Sequence, residues 1–337
     1  TLLTSLAYSG PIGGSVEFVY DDDFRRAEET VNAADPIAFG HDLDGLLTQS
    51  GALATTREPQ TGLVTTTSLG DTADSYSYNA FGEVIGYEAS FSGGVIYEVS
   101  YVRDALGRIT DKTETIGGVS TDYAYTYDAA GRLSEVREDG ALAAEYGYDD
   151  SGNRLALIDS SGTTSGSYDS QDRLTSYGAS TYAYTANGEL LQKSTPAGLT
   201  DYAYDVLGNL KSVTLPTAAT IEYLVDGMNR RVAKKVDGVL ERGWLYRSQL
   251  QPVAELDDAG NVVARFVYGE RPNVPDYMVK GGSTFRIVTD HLGSVRLVVN
   301  VADGTIAQRI DYDEWGVVLL DTNPGFQPFG FAGGLYR

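Results

Sequence analysis

The residue types that most often carry catalysis are scarce in this sequence. Its 337 residues include two histidines, His41 and His291, and no cysteine. Without cysteine the chain has no thiolate nucleophile, no thiolate metal ligand and no disulfide. Both histidines fall at turn positions of the repeat described below, which favours a turn or packing role. Glycine pairs such as Gly117-Gly118 lack the lysine and hydroxyl residue of a phosphate loop, so no cofactor is expected.

Two groups of carboxylates are the other candidates for chemistry. Asp21-Asp22-Asp23 and Asp257-Asp258 would suit calcium or a general acid and base pair. Neither has the ligand spacing of a known calcium loop, so solvated turn acids are favoured and no metal is expected. Catalytic carboxylate pairs depend on geometry between distant segments, and an enzyme such as a glycosidase therefore stays open as an alternative.

The overall charge and hydropathy narrow the class of partner. The chain has 47 acidic and 25 basic residues and a formal net charge of −22. Such a surface repels a phosphate backbone, so no nucleic-acid partner is expected. Solubility explains the acidity, with an interior lining that handles a cargo's charge as the alternative. No apolar run is long enough to span a bilayer.

The first residues suggest a processed chain. Thr1-Leu2-Leu3-Thr4 lacks the basic start and apolar centre of a signal peptide, and there is no initiator methionine. We therefore expect a piece of a longer protein.

An internal repeat supplies the elements that must position these side chains. Tyrosine occurs 24 times and glycine 39 times, a composition typical of strands and turns. The clearest copy is Tyr125-Thr126-Tyr127-Asp128-Ala129-Ala130-Gly131-Arg132-Leu133. With its glycine as position 0, the unit has aromatic residues at −6 and −4, aspartate at −3, a polar residue at +1 and an aliphatic residue at +2. Copies follow at about 20 residues, a solenoid-like period.

Three copies define the structural repeat motif, and degenerate copies run through most of the chain. The motif residues are Tyr125, Tyr127, Asp128, Gly131, Tyr146, Tyr148, Asp149, Gly152, Tyr202, Tyr204, Asp205 and Gly208.

The chemistry of each position predicts a β-hairpin. Residues at −6 and −4 lie on the same face of a strand, so their rings can form an aromatic row. Aspartate at −3 and glycine at 0 match positions i and i+3 of a type I turn. The aliphatic residue at +2 is then buried on the returning strand. The register of the tyrosines favours packing over the alternative of sugar binding by exposed rings.

Two local expectations depart from this plain repeat. In Gly152-Asn153-Arg154-Leu155 and Asn229-Arg230-Arg231-Val232 the aliphatic residue stands at +3, which predicts one extra residue and a β-bulge. A short helix around Phe24 to Val31 competes with the repeat interpretation.

The repeat predicts a long ribbon. About 16 units would give roughly 32 strands at a spacing of ~4.8 Å. Twist should coil so long a sheet, and a coiled ribbon encloses space or packs on something else.

These units resemble the YD-repeat or RHS-repeat family, which includes the teneurins, over almost the whole chain. More specific is Thr289-Asp290-His291-Leu292-Gly293-Ser294-Val295-Arg296-Leu297, followed by Tyr312-Asp313-Glu314-Trp315-Gly316 and Phe329-Gly330-Phe331-Ala332-Gly333-Gly334-Leu335-Tyr336. That series is similar to the entrance of the RHS-associated core region. The core-region motif residues are Asp290, His291, Gly293, Arg296, Tyr312, Asp313, Trp315 and Gly316.

The resemblance implies an all-β fold in which a single-layer ribbon of YD-repeat hairpins spirals into a hollow shell. It implies a YD-repeat array over 1–280 and the start of a truncated core region over 281–337. In bacterial members, including the C component of Tc-type toxins, the shell sequesters a C-terminal effector. In teneurins it serves adhesion at the cell surface. The self-cleaving aspartic-protease-like core of many bacterial members is expected after Arg337, so no catalytic residue is assigned to this chain.

We therefore expect a secreted or cell-surface protein that is not an enzyme and forms part of an encapsulating shell. Its expected partner is an effector of the same polypeptide or a partner that completes the shell. A teneurin-like adhesion or fibre-like structural protein is the alternative.

Overall fold

The computed structural model describes residues 2–335, in which 31 β-strands and one short 3₁₀ helix occur. Thr1, Arg337 and Tyr336, the last residue of the quoted core-region series, lie outside the described residues. The prediction of an all-β chain of hairpin repeats is confirmed.

The strands follow one another with short connections. The first ten are β1 Ser5–Tyr8, β2 Gly14–Tyr20, β3 Arg26–Val31, β4 Ala34–His41, β5 Leu47–Ser50, β6 Leu53–Arg57, β7 Val64–Leu69, β8 Thr72–Tyr78, β9 Val84–Phe91 and β10 Gly94–Arg103. The next thirteen are β11 Ile109–Ile116, β12 Val119–Tyr127, β13 Leu133–Glu138, β14 Ala141–Tyr148, β15 Arg154–Asp159, β16 Gly162–Tyr168, β17 Leu174–Tyr177, β18 Ser180–Tyr184, β19 Leu190–Thr195, β20 Gly198–Tyr204, β21 Leu210–Thr214, β22 Thr220–Val225 and β23 Arg231–Val236. The last are β24 Val239–Tyr246, β25 Pro252–Leu256, β26 Val262–Val267, β27 Tyr277–Lys280, β28 Ser283–Thr289, β29 Val295–Asn300, β30 Ile306–Tyr312 and β31 Val318–Asp321, with the helix at Phe331–Gly333.

Successive strands pair antiparallel, and two kinds of turn alternate along the chain. A four-residue turn that begins at the −3 residue follows each tyrosine strand, as between β12 and β13, where Tyr127 pairs with Leu133. A tight turn joins one repeat to the next, as between β13 and β14, where Glu138 pairs with Ala141. Because side chains alternate between faces, this register places all the −6 and −4 rings on one face.

Contacts between residues divide the chain into two compact units. The described part of unit 1 is residues 2–98, 116–118 and 242–335, and unit 2 is residues 99–115 and 119–241. The boundary predicted from the motifs, between residues 280 and 281, separates the repeat array from the core region and does not correspond to these two units. It stays a prediction.

Unit 2 is a run of hairpins with one aromatic face. Residues of β16 alternate between exposed and half-buried, with Tyr168 on the half-buried face. Val136, Ala144 and Tyr146 are buried together on the tyrosine face, with Tyr125 packed against them. The opposite face of β16 is exposed.

Unit 1 has a denser interior because its first strands pack against its last ones. All five residues of β25 are buried, as are most of β28 and β29. Leu53 and Leu69 from the first strands form one buried cluster with Val267 and Tyr277. The apolar character of these strands on both faces fits burial on both sides.

The expected short helix is wrong, whereas the expected bulges are present but are not specific to the two copies named. Arg26–Val31 is strand β3, and Phe24 occupies the turn with φ 63°. The residues are paired with β2 from Val16 to Tyr20, so tertiary pairing overrides the weak helical pattern.

The two units with aliphatic residues at +3 contain no extra residue. Arg154 at +2 pairs with Tyr148 just as Leu133 at +2 pairs with Tyr127, and each pairing follows the same one-residue register shift. A bulge of this kind recurs in the repeats, and arginine simply replaces the aliphatic side chain at +2.

Candidate functional site

The turn of the repeat is built around its aspartate. In the copy at Asp128, Oδ1 accepts hydrogen bonds from the amides of Ala130 and Arg132, at 2.9 Å each, and Oδ2 accepts one from Arg132 Nε at 2.7 Å. The Gly131 amide donates to the Asp128 carbonyl at 2.9 Å, which closes the predicted i to i+3 turn. Gly131 has φ 82°, a conformation that glycine adopts without strain.

The same carboxylate geometry recurs at the other motif copies. Asp149 and Asp205 each accept from the amide and the side chain of an asparagine at +1. The backbone hydrogen bond from Arg132 lowers the pKa of Asp128, and side-chain hydrogen bonds from Asn153 and Asn209 lower the pKa values of Asp149 and Asp205. These carboxylates stay ionised and hold turns closed.

In at least six copies the tyrosine at −4 ties its repeat to the one before it. Tyr148 Oη donates to the Leu133 carbonyl at 2.7 Å, and Tyr204 Oη donates to the Leu190 carbonyl at 3.0 Å. The same bond, from a −4 hydroxyl to the +2 carbonyl of the preceding repeat, is made by Tyr78, Tyr127, Tyr168 and Tyr184. Burial raises the pKa of Tyr148, which keeps its hydroxyl protonated as a donor.

The side chain at +1 makes a second tie, toward the following repeat. Arg132 Nη1 donates to the Asp149 carbonyl at 2.7 Å, and its guanidinium carbon lies 4.7 Å from the Tyr148 ring centroid. In the next copy Asn153 donates to the Asp172 carboxylate at 2.8 Å. Each of these boundaries is therefore crossed by side-chain bonds in both directions, in addition to the strand pairing.

Arginine at +2 adds a contact that the repeat pattern did not predict. Arg154 lies over the rings of Tyr146 and Tyr177, at 5.7 and 5.2 Å, and Arg231 lies 3.9 Å from the Tyr223 centroid. These distances suit cation–π attraction. The signal was visible in the sequence, because both positions carry arginine where the aliphatic residue is missing.

A buried ionic group joins the first and last strands of unit 1. Arg286 in β28 contacts the Asp74 carboxylate of β8 through both Nε, at 2.9 Å, and Nη2, and Nη1 lies 3.3 Å from Asp276 Oδ1. The Arg286 and Asp74 side chains are 4% and 1% exposed. Burial would lower the pKa of Arg286, but the two carboxylates raise it well above its usual value. We call this ion group and the Leu53, Leu69, Val267 and Tyr277 cluster the seam.

Hydroxyl groups complete the Asp74 environment. Thr67 Oγ1 donates to Asp74 Oδ2 at 2.6 Å, and Tyr87 Oη donates to Asp74 Oδ1 at 3.1 Å. A cavity of about 190 Å³ adjoins this group, lined in part by Tyr76, Tyr78 and Arg271. Asp276, which also lines this cavity, contacts Arg286 and accepts a hydrogen bond from the Gly269 amide. We therefore interpret the group around Asp74 as a structural contact.

The first core-region motif forms the same turn as the repeats. Asp290 Oδ1 accepts from the amides of Leu292 and Ser294, at 2.9 and 2.8 Å, and the Gly293 amide donates to the Asp290 carbonyl at 3.1 Å. His291 lies exposed in this turn. Arg296 in β29 is buried, and its Nη2 lies 3.1 Å from Asp311 Oδ1.

The second core-region motif holds the C-terminal segment. The Tyr312 ring packs edge-on against Phe331, with 5.7 Å between centroids. Asp313 caps its turn by accepting from the Trp315 and Val317 amides. A Cβ on Gly316 would lie 2.6 Å from the Phe331 ring, so the close approach requires glycine. Trp315 itself is 46% exposed.

The segment after β31 returns across the last strands of unit 1. Phe329 packs edge-on against Phe266, and Phe326 against Phe285, with centroids 5.0 and 5.1 Å apart. The Ala332 amide donates to Ser294 Oγ at 3.1 Å. The two core-region motifs are thus brought together with this segment, whereas the three repeat-motif copies lie along unit 2.

The side chains considered for chemistry in the sequence, His41, Asp21 and Asp257, lie at a strand end or in turns. His41 ends β4 and pairs with Leu47. Asp21 accepts hydrogen bonds from Asp23 and Arg25, and Asp257 accepts them from Ala259 and Asn261, as turn caps. Among residues 2–335 no group of three or more metal-ligating side chains has the geometry to hold an ion. Over the same residues no helix is long and apolar enough to cross a membrane.

Comparisons with known proteins agree with this architecture. Mouse teneurin-4 is 26% identical over 348 residues, covering 97% of this chain and 12% of the relative. The tRNA nuclease WapA of Bacillus subtilis is 27% identical over 190 residues, covering 54% of this chain and 8% of the relative. The Tc holotoxin pore structure of Photorhabdus luminescens has the same fold over 95% of this chain and 19% of its own, with a TM-score of 0.65 at 14% identity.

The family model agrees along nearly the full length. The chain spans about an eighth of the teneurins it matches and less than a fifth of the Tc toxin chain. The teneurin YD-shell model matches residues 3–337. With its turn aspartates, repeat ties and core-region motifs, the chain belongs to the teneurin YD-shell family and is a structural shell protein.

Proposed function

We propose that this chain is part of an encapsulating shell that sequesters a C-terminal effector of the same polypeptide. The observation that carries the proposal is the seam. Burying Arg286 against Asp74 and Asp276, with an apolar cluster beside it, fastens the first hairpins to the last strands. A buried contact of that kind suits a shell wall in which strands distant in sequence must stay together.

Two further observations support a role as a container. The repeat ties link successive hairpins by side-chain hydrogen bonds in addition to strand pairing. The nuclease relative is matched over only 8% of its length, which fits a shared wall segment beside an activity located elsewhere. The proposed partners are accordingly the effector or a partner that completes the shell, and the proposed location is secreted or at the cell surface. We assign the chain no enzymatic role.

Limited proteolysis of the natural full-length polypeptide tests this proposal. The proposed effector segment carries a C-terminal tag, and its cleavage is monitored during proteinase K digestion. The wild-type protein and the control Glu135→Gln, whose exposed pair with Arg137 lies away from the seam, should protect the tagged segment. Asp74→Asn should expose it early. Cleavage of the segment at one rate in all three proteins would refute sequestration.

Adhesion is the second candidate, favoured by apolar side chains on the four-residue turns. Phe81, Leu106 and Leu207, each at position −1, are 89%, 77% and 72% exposed. These side chains are the contact groups that the adhesion alternative invokes. Aggregation of beads coated with the chain, abolished by Phe81→Ser and Leu207→Ser together, would support adhesion over encapsulation.

A further inference from the structure

A second buried ionic group in unit 1 has more positive than negative charge. The Glu29 side chain in β3 is 2% exposed, and three arginine guanidinium groups lie near its carboxylate. Arg247 Nη1 lies 3.4 Å from Oε2, Arg265 Nη2 lies 3.7 Å from Oε1, and Arg26 Nη1 lies 3.8 Å from Oε2. One carboxylate cannot neutralise three cations.

Arg265 is the least satisfied member of this group. Its side chain is 7% exposed, and none of its three guanidinium nitrogens has a hydrogen-bond partner among residues 2–335. The Arg26 Nε atom is likewise buried and without a partner. Burying such strong donors unpaired is costly, so the site has donors to spare and no acceptor of its own for them.

The neighbouring groups do not remove the imbalance. Arg247 is held by Gln251, with Nε donating to Oε1 at 2.9 Å, and lies 4.9 Å from the Tyr268 ring centroid. The Arg26 guanidinium lies 4.8 Å from the Phe18 ring. Burial lowers the pKa of Arg26, and the positive charge of Arg247 lowers it further. Burial also lowers the pKa of Arg265, which Glu29 and Asp35 partly offset.

We propose that Arg265, Arg26 and Arg247 form a binding site for a small oxyanion beside Glu29. Guanidinium groups present planar arrays of donors that match carboxylate and phosphate oxygens. A carboxylate and a tetrahedral oxyanion share this chemistry, and the three free nitrogens of Arg265 supply the directed hydrogen bonds. The site lies where β3 meets β26 and the turn after β24, so an anion there links the first strands of unit 1 to its last ones.

Thermal unfolding of the full chain, followed by tryptophan fluorescence, tests the site. Sodium phosphate, sulfate and acetate are titrated separately against sodium chloride at constant ionic strength and pH 7. Binding to the native state predicts a saturable rise in Tm, whereas general salt effects grow without saturation. Saturation with acetate identifies a carboxylate site, and saturation only with phosphate and sulfate identifies a tetrahedral-anion site.

Three variants separate the site from the rest of the molecule. Arg265→Met should abolish the saturable rise in Tm. Glu29→Gln removes the competing carboxylate, so half-saturation should occur at a concentration at least several-fold lower than in the wild type. Arg242→Met changes charge equally, at an arginine that is 43% exposed and lies 3.3 Å from Glu255, and should leave half-saturation unchanged.

The opposite directions expected for Arg265→Met and Glu29→Gln keep the proposal testable even if one variant unfolds. A saturable response that survives Arg265→Met overturns the proposal. So does a Glu29→Gln protein with wild-type half-saturation, or a wild-type Tm that depends on ionic strength alone, in which case water satisfies the arginines.

Discussion

Replacing Asp74 by asparagine should destabilise unit 1 strongly. The substitution keeps the shape of the side chain but leaves Arg286, 4% exposed, without its main counter-charge. Removing one partner of a buried pair costs about 3–5 kcal/mol. Asp276 remains within 3.3 Å of Arg286 Nη1, so we expect the lower end, about 3 kcal/mol.

Urea unfolding measured by tryptophan fluorescence reports this loss directly. Trp244 and Trp315 are the chain's two tryptophans, and both belong to unit 1. With a urea dependence of about 1–3 kcal/mol per M, the midpoint should fall by about 1 M or more. The control Glu135→Gln breaks an exposed pair in unit 2, in which Arg137 is 46% exposed, and should cost at most about 1 kcal/mol.

A double-mutant cycle separates the interaction energy between Asp74 and Arg286 from the independent cost of each substitution. Arg286→Met should also destabilise, since it leaves Asp74 buried and unpaired. The double variant should be more stable than the sum of the single losses predicts, by about 1–3 kcal/mol. Additive losses, or a shift for Asp74→Asn no larger than that of Glu135→Gln, would refute the assignment of the seam as a coupled ionic contact.

Three further predictions concern the repeat. Tyr148→Phe removes the 2.7 Å bond to the Leu133 carbonyl and should cost about 0.5–1.5 kcal/mol; mass spectrometry should detect faster amide exchange at β13 to β15, and unchanged exchange would contradict the tie. Because the pKa values of Asp128, Asp149 and Asp205 are lowered from 3.8 by folding, their stabilisation is complete above the unfolded pKa. It should be lost as pH falls through the lower folded pKa values, so the urea midpoint should drop in acid. The drop should be less steep in Asp128→Ala, and parallel pH profiles of the two proteins would contradict the capping role. Gly131→Ala forces alanine to φ 82° and should lower the free energy of unfolding by about 1–2 kcal/mol. Urea unfolding followed by circular dichroism measures this loss, which should be smaller for Ala130→Gly at the neighbouring exposed position.

The strands and four-residue turns were predictable because their chemistry is local. Tyr125, Asp128 and Gly131 are close in sequence, and period-two alternation with an aspartate turn leaves few backbone solutions. The helix expected around Phe24 to Val31 does not form because Phe24, with φ 63°, takes the place of the turn glycine. The residues after it then continue as strand β3. The extra residue expected in two copies was wrong because an aliphatic residue was assumed at +2, where Arg154 and Arg231 instead lie over tyrosine rings.

The seam could not be predicted in the same way. Asp74 and Arg286 are 212 residues apart, and nothing local marks either as a partner of the other. Asp74 also lies outside the repeat motif, because it comes two residues before Tyr76, the aromatic residue at −6 of its copy. The Glu29 site was hidden for the same reason, because its arginines come from β3, β26 and the turn after β24. Pairing between distant strands depends on how the ribbon curves, which the repeat alone does not specify.

Cross-linking across neighbouring strands tests the central claim, that consecutive hairpins pair edge to edge in one fixed register. Ser167 pairs with Ser176 within a repeat, and Ser176 pairs with Thr181 across the boundary to the next. The chain has no cysteine, so double cysteine variants report without background. Opposed residues lie about 4.5–5.5 Å apart, within disulfide reach. We predict that Ser167→Cys with Ser176→Cys, and Ser176→Cys with Thr181→Cys, form disulfides on mild oxidation. Ser167→Cys with Thr181→Cys, which spans two strand spacings, should stay reduced; its oxidation at the same rate as the adjacent pairs would contradict the register on which the whole account rests.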